Sequence, residues 1–413
     1  MTAKNVLADQ IICNIGRELV KHGTAAANMK RLLLSGRQQP FGAYKTQTLT
    51  PKDLGLYRHD PNAPIPALQF GAPVKLTVGI KGFPARLTAS ASPVDASNSG
   101  ALSHTILYDH WMGGTRVGAG STVAASPSPA VGGCTVASGH GSRFAVGGVV
   151  FINGEPTVIT SISTDAMTWS PDLPAAPAAG DLVLNSYNFF RSEAQTQSLT
   201  IETAFYESGT PETQERGRGI VGQCAWSADQ GQLGTIAFDG MVTSHERGDL
   251  SLTVTETADD MGASARWDGQ AYLFAAGTST APSHACLRSI KVTVPNKWAW
   301  VRCGSDENTI NSAVATGGRE DPITVEVSLR FDADLYDGFT AETLYRGIFY
   351  TKQGTGTAQR YIGWHFPTLK LTGEPQQSES EGLILVTASF VALQSTITSG
   401  SDIARSPAVL FAG

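Results

Sequence analysis

The chain has 413 residues, a formal charge of -6 at pH 7, 16% charged and 41% hydrophobic residues, 44 glycines and 21 prolines. That length supplies two or three domains with buried cores, and the composition excludes collagenous, fibrous and small disulfide-stapled architectures. A charged fraction well under the roughly 25% of an average soluble protein implies a neutral, polar, turn-rich surface, and no run approaches the ~20 apolar residues of a spanning helix, so no membrane anchor is expected.

At the N-terminus, Asp9 and Glu18 flank a short apolar run with no small-residue cleavage site, so no secretion signal is read. Leu7, Ile11, Ile15 and Leu19 recur every four residues and predict a helix over Val6–Val20. A second, basic helix is expected over Ala25–Leu34, ended by Ser35-Gly36. Beyond this arm the chain reads as strand. Alternating or β-branched runs bounded by turn residues occur at Val74–Ile80, Leu199–Phe205, Gly234–Phe238, Leu250–Thr255, Leu287–Val294, Ile323–Phe331, Tyr345–Tyr350 and Leu383–Phe390. The fold class is therefore all-β or β-dominated, a matter of sandwiches or barrels.

The stretch from Ser121 to Ser186 differs in texture, with Ala/Pro/Gly-rich flanks around FAVGGVVFINGEPTVITSIS. Asn153-Gly154 between two apolar runs signals a hairpin, because both residues tolerate the positive φ of a type I′ turn. A small inserted β-barrel on flexible linkers, peripheral to the assembly, is the expectation.

From residue 82 to residue 290 there is no lysine, and nine arginines face nineteen carboxylates. Lysine depletion fits a surface destined for contact, or compositional drift, and the acidic balance argues against a binder that grips phosphates. The five cysteines (Cys13, Cys134, Cys224, Cys286, Cys303) are widely spaced with no C-x-x-C, so neither a disulfide framework nor a zinc site is read.

Catalytic and metal templates fail one by one. His245-Glu246 lacks the second histidine of a zinc helix, since Asp249 stands there. Gly277–Ala281 falls short of a nucleophile elbow. Asp332, Asp334, Asp337 and Gly338 approximate a calcium loop, but Thr343 occupies the place of the bidentate Glu, and a surface turn explains the same residues. His104 and His110 flank Tyr108, Asp109 and Trp111, a potential general-base group or simply packed histidines. Trp298 with Trp300, and Trp364 with Phe366, read as single faces of strands, with a sugar-stacking platform as the other reading.

An internal repeat is the most informative feature. LTIETAFYESG, RGRGIVGQCAW and GTIAFDGMV, from Leu199 onward, recur in frame as ITVEVSLRFDADLYDG, LYRGIFYTK and RYIGWHFPTL, from Ile323 onward. Thr200-Ile201-Glu202 would then match Thr324-Val325-Glu326, and a repeat of this length is a duplicated domain rather than a solenoid unit.

With SLTIETAFYESG, RGIVGQCAW, GQLGTIAFDGMV and LRSIKVTVPN in this order, the sequence resembles the tail tube (major tail) proteins of long-tailed bacteriophages, duplicated-domain type. The resemblance implies two similar tail-tube-like β-sandwich or barrel domains with a small inserted β-barrel. The first would comprise residues 70–120 and 187–272, the insertion 121–186 and the second 273–394, between a partly helical arm (1–69) and a C-terminal tail (395–413). It implies a structural virion protein, not an enzyme and without cofactors, assembled in the host cytoplasm. Trimeric pseudo-hexameric rings would stack, meet other tail proteins and let DNA pass during ejection without specific binding.

An acidic channel lining follows from that role, with Glu202 and Glu326 as candidates; the other reading pairs each with an Arg across a subunit boundary. The apolar cluster Val409, Leu410 and Phe411 is the candidate inter-subunit contact, or else part of a free tail. Two further functions remain open: a carbohydrate-binding β-sandwich module of a tail-tip or cell-surface protein, using Trp298 and Trp300, and a β-rich glycan-degrading enzyme, which would need a carboxylate pair across a cleft.

Overall fold

The computed structural model describes residues 11–18, 29–32, 34, 38–41, 46–47, 68–69, 73–80, 103–192, 198–207, 210–242, 244–248, 250, 266–280, 285–295, 298–301, 312–315, 321–330, 334–380, 382–395 and 402–413. It is β-dominated with few helices. The anticipated strand at Leu250–Thr255 lies almost wholly outside these residues, as does Cys303.

Strands β1 (Ile11–Arg17), β2 (Lys30–Leu32), β3 (Thr46–Gln47), β4 (Leu68–Gln69) and β5 (Pro73–Gly79) precede helix α1 (Ser103–Met112), which runs directly into β6 (Gly113–Arg116). The helix expected over Val6–Val20 is corrected: Ile11–Arg17 is a strand, bonded on one side to β2 and on the other to residues 199–205. A spacing of four suits both periods, because residues four apart share a helix face and also a strand face. The β-branched run Ile11-Ile12 and two waiting strand partners decide for the strand. Lys30–Leu32, inside the second expected helix, is also a strand. The helix that does form, α1, begins at Ser103 and is followed by Gly113, whose φ of 84° is the left-handed helix stop.

Between residues 121 and 185 six strands form a sheet of their own: β7 (Ser121–Thr122), β8 (Gly133–Thr135), β9 (Val149–Ile152), β10 (Glu155–Ser163), β11 (Ala166–Ser170) and β12 (Leu182–Asn185). Asn153 and Gly154 turn β9 into β10 with φ of 52° and 84°, and Val150, Ile152, Ile159, Met167 and Trp169 form a separate core.

The chain then continues through β13 (Tyr187–Arg191), β14 (Leu199–Glu207), β15 (Thr210–Asp229), β16 (Thr235–Met241), β17 (Ser244–Gly248), β18 (Gln270–Ala275), β19 (Ala285–Val294), the hairpin β20 (Trp298–Val301) and β21 (Ser312–Ala315), and β22 (Ile323–Arg330). Helix α2 (Asp334–Thr340) follows, then β23 (Leu344–Gln353), β24 (Arg360–Leu371), β25 (Gln376–Ser380), β26 (Leu383–Ala392), α3 (Asp402–Arg405) and β27 (Val409–Ala412). Of the aspartates after β22, Asp334 and Asp337 thus belong to α2 rather than a turn, and Asp332 lies outside the described residues.

Two units share one topology. In the first, β5 pairs with β16, β16 with β15, and β6 with β13. In the second, β22 pairs with β26, β26 with β25, and β23 with β24. Chain order agrees as well, since β5–α1–β6–β13–β15–β16 runs parallel to β22–α2–β23–β24–β25–β26. Inward residues of the leading strands correspond, Val74, Leu76 and Val78 against Val325, Val327 and Leu329, each at most 2% exposed.

The shared topology therefore matches β22 with β5, not with β14 as the sequence blocks suggest. Thr200-Ile201-Glu202 lies on β14, between β1 and the first half of β15, and is buried on both faces. Thr324-Val325-Glu326 alternates between exposed and buried. Short T-x-E strand patterns fit many sheet positions; the order of pairings is what distinguishes them.

The units are joined twice. β15 bonds β19 over six residue pairs, from Cys224 opposite Val294 to Asp229 opposite Ser289, making one continuous inner sheet. β27 lies between β13 and β24 and bonds both, making one outer sheet. A shared core fills the space between the sheets, centred on Trp226 and Trp364 with Trp111 of α1 edge-on at 5.6 Å. Trp364 and Phe366 do occupy one strand face, stacked at 5.8 Å inside this core.

β27 corrects the reading of the C-terminal tail. Val409, Leu410 and Phe411 are at most 1% exposed within their own chain, so they hold the two units together instead of docking on a neighbour. An apolar strand with two unfilled edges beside it is captured locally. The linker reading of the insertion changes too. Val149, Phe151 and Val158 pack on Tyr272, Ile348, Tyr350, Tyr361 and Phe411 as one buried cluster, and Arg346 donates to Ser170 Oγ at 2.8 Å.

Candidate assembly surface

The inner sheet runs β5–β16–β15–β19–β22–β26–β25. One face is core; the other faces solvent. Across it Thr77, Ala237, Ala225, Thr293, Thr324 and Val391 stand in one register row. The next row carries Thr235, Ser227, Lys291, Glu326 and Ser389, with the Ser227 and Thr235 hydroxyls hydrogen-bonded at 2.9 Å. The threonines and Val391 are strand formers, and the small or polar residues among them suit a pleated surface that is solvated on one side. Over the first unit the face is concave, a groove of about 420 Å³ lined by Lys75, Thr77, Gln223, Ala225, Ala237 and Thr293 among others.

The sheet's two ends differ in how they are finished. At one end, residues 34 and 38–41 run along β5. The Gln38 side-chain amide imitates a strand partner, accepting from Thr77 N at 2.5 Å and donating to Thr77 O at 2.9 Å, while Lys75 N donates to Pro40 O. At the other end β25 bonds only β26 among the described residues, and Gln376–Glu379 are exposed. An unpaired, polar edge of this kind is a template for another strand.

Charge on the exposed face is sparse and mixed. Lys75 faces Asp239 at 3.8 Å, and Lys291 sits directly opposite Glu326 in the β19–β22 register. Glu326 is thus on the exposed face, next to a cation of its own chain. Glu202 is not on that face. It is fully buried, accepts from Arg216 Nε at 2.6 Å, and belongs to a group in which Glu246 approaches Arg216 and Arg218 at 3.8 and 3.4 Å. Glu202 is corrected from channel candidate to internal ion pair, because β1 and the covering strands leave it no route to solvent.

Other residues marked in the sequence have structural roles. Asp109 accepts from Arg17 Nη1 and Thr115 Oγ1, both at 2.5 Å, tying α1 to β1 and β6. His110 Nε2 accepts from Gly222 N at 3.3 Å, and Trp111 Nε1 donates to Val294 O at 3.1 Å across the junction of the two units. His245 lies against Phe41 with centroids 4.8 Å apart. Ser279 O accepts from Asp172 N at 2.7 Å, another bond to the insertion. Trp298 and Trp300 fall on β20, whose side chains lie outside the description.

Sequence reasoning missed Glu18, a buried carboxylate that accepts from Ser198 Oγ, Thr200 Oγ1 at 2.9 Å and Gly219 N at 2.8 Å. It also missed His365, buried on β24 with neither ring nitrogen bonded. Burial, and secondarily the Arg346 cation, holds His365 down to about 3. Among the described residues no group of three or more His, Cys, Asp and Glu is arranged to hold a metal ion, and no helix is long and apolar enough to cross a membrane. Compared with known proteins, the chain matches no family model and no curated protein.

Proposed function

We propose that the chain is a structural subunit that joins head to tail into closed rings, and that the rings stack into the tail tube of a long-tailed bacteriophage. One observation carries this reading: the chain already contains the junction it needs. At β15–β19 the outermost strand of the first unit bonds the first strand of the second unit. By the topological equivalence, the counterparts of β15 and β19 at the two ends of the described chain are β25 and residues 34 and 38–41. Bonding β25 of one copy to the segment at residues 38–41 of the next repeats the internal junction between copies. A head-to-tail contact of this kind closes into a ring whenever its rotation divides the circle.

Three chains would give six units, with the exposed face of the inner sheet turned toward a channel and the insertion outermost, since it covers the outer sheet. Such a ring leaves no open edge on the inner sheet. The function is conduction of DNA during ejection, with no catalytic step and no cofactor. The partners are copies of the chain and other tail proteins, and the location is the virion, after assembly in the host cytoplasm.

Electron microscopy of the purified protein tests the reading, and threefold rings or stacked tubes are expected. A cysteine at Ser378, combined in turn with cysteines at Gln38, Gln39 and Pro40, should give oxidised ladders of two and three chains for at least one pairing. Persistent monomers with no cross-link at any pairing would rule the arrangement out.

A further inference from the structure

Resting on the conduit reading, we propose that the exposed face of the inner sheet is charge-compensated so that double-stranded nucleic acid is neither held nor repelled. In register on its exposed rows stand Lys75, Lys291 and Arg330 with Asp229, Asp239 and Glu326, and the partly buried Arg288 sits beside them at the β19 bulge. Two of the cations face carboxylates on the adjacent strand, Lys75 with Asp239 at 3.8 Å and Lys291 opposite Glu326. Everything between them in the two central rows is Thr, Ser, Ala or Val.

Directly opposed side chains on a sheet stand about 5 Å apart at Cβ, inside the ~8 Å screening length of physiological salt. A phosphate approaching either lysine therefore meets the carboxylate almost as strongly. Affinity for duplex DNA comes from releasing counterions when uncompensated Lys or Arg neutralises phosphates, and a compensated pair releases few. A uniformly acidic face would do the opposite and raise a barrier along the whole path. The acidic lining expected from the sequence is replaced by a neutral one, in which hydroxyls and methyls form the contact surface and the charges cancel locally.

The full-length chain and a linear DNA duplex test this by filter retention at about 50 and 150 mM salt. The wild type should not retain DNA at micromolar protein. Asp239→Asn with Glu326→Gln frees two lysines and should raise affinity at least tenfold at the lower salt, with a log-log salt slope steeper by about 2. Glu326→Gln alone should steepen it by about 1. Lys75→Gln with Lys291→Gln should stay as non-adhesive as the wild type. Carboxamide variants that keep the wild-type circular dichroism yet bind no DNA would overturn the proposal. So would a wild type that binds DNA and loses it when the two lysines are neutralised. Ring formation is scored separately by microscopy: absent rings with the expected binding pattern would sink the conduit reading alone, and rings with unresponsive binding would sink this one alone.

Discussion

Phe151 of the insertion lies nearly parallel to Tyr361 of the second unit, with ring centroids 3.7 Å apart and planes 15° apart. Tyr361 in turn donates its hydroxyl to Asn185 O at 2.8 Å, where the insertion returns to the first unit. The insertion, which the chain enters and leaves from the first unit, is therefore packed on the second and stiffens the join between them.

Phe151→Ala should cost about 3–5 kcal/mol, the range for removing a buried aromatic ring. Chemical denaturation with tryptophan fluorescence would measure it. Excising the insertion for a short Gly/Ser loop should leave Tyr272, Ile348, Tyr350 and Phe411 uncovered and yield aggregated protein. A soluble, monodisperse excision variant would contradict the packing role.

Truncation of residues 406–413 removes β27 and opens the facing edges of β13 and β24. The expected result is loss of the folded chain, seen as collapsed near-ultraviolet circular dichroism, rather than folded monomers unable to assemble. Leu410→Ala alone should cost about 2–5 kcal/mol.

His365 gives stability a definite pH dependence. Its folded pKa, about 3, lies below the ordinary value of 6.5, so between these limits the unfolded chain binds the extra proton. The stabilising contribution is complete above about pH 6.5 and declines as pH falls toward 3, by at most about 1.4 kcal/mol per pH unit. Urea midpoints at pH 7, 6 and 5 should fall in the wild type, and less steeply in His365→Leu.

Glu202 and Glu326 should separate cleanly. Glu202→Ala removes the fully buried acceptor of Arg216, which keeps Glu246 at 3.8 Å, and should cost about 1–3 kcal/mol. Glu326→Ala, on an exposed strand face, should stay within about 0.5 kcal/mol. Parallel thermal melts would compare them, and equal losses would refute the distinction between the buried and the exposed carboxylate.

The strand-rich character and the positions of β5, β14, β16, β19, β22, β23 and β26 were legible because alternation and β-branching are local. Asn153-Gly154 was legible because its turn chemistry is local too. Ile11 and Ile15 misled because a four-residue spacing is shared by helix and strand, and only the partners β2 and β14 decide. Thr200-Ile201-Glu202 misled for a related reason, since a strand's place in a sheet depends on hydrogen-bond partners far away in sequence. Glu202 illustrates the limit for the site: nothing in TIE says whether the carboxylate meets water or Arg216. The apolar run Val409–Phe411 reads as an inter-subunit contact or a free tail, because the surface that covers it is set by the unfilled edges of β13 and β24, which no local pattern reveals.

The placement of β27 also sets an order in time. β13 cannot complete its pairing until Val409–Ala412 has been synthesised, roughly 220 residues later, which is an unusually long-range closure. A chain stopped short of residue 409 lacks the strand that fills the facing edges of β13 and β24, and unfilled edges of this kind are templates for pairing between chains. Slowing translation before residue 409 should therefore favour exchange of strands between chains, while rapid completion favours the self-contained subunit.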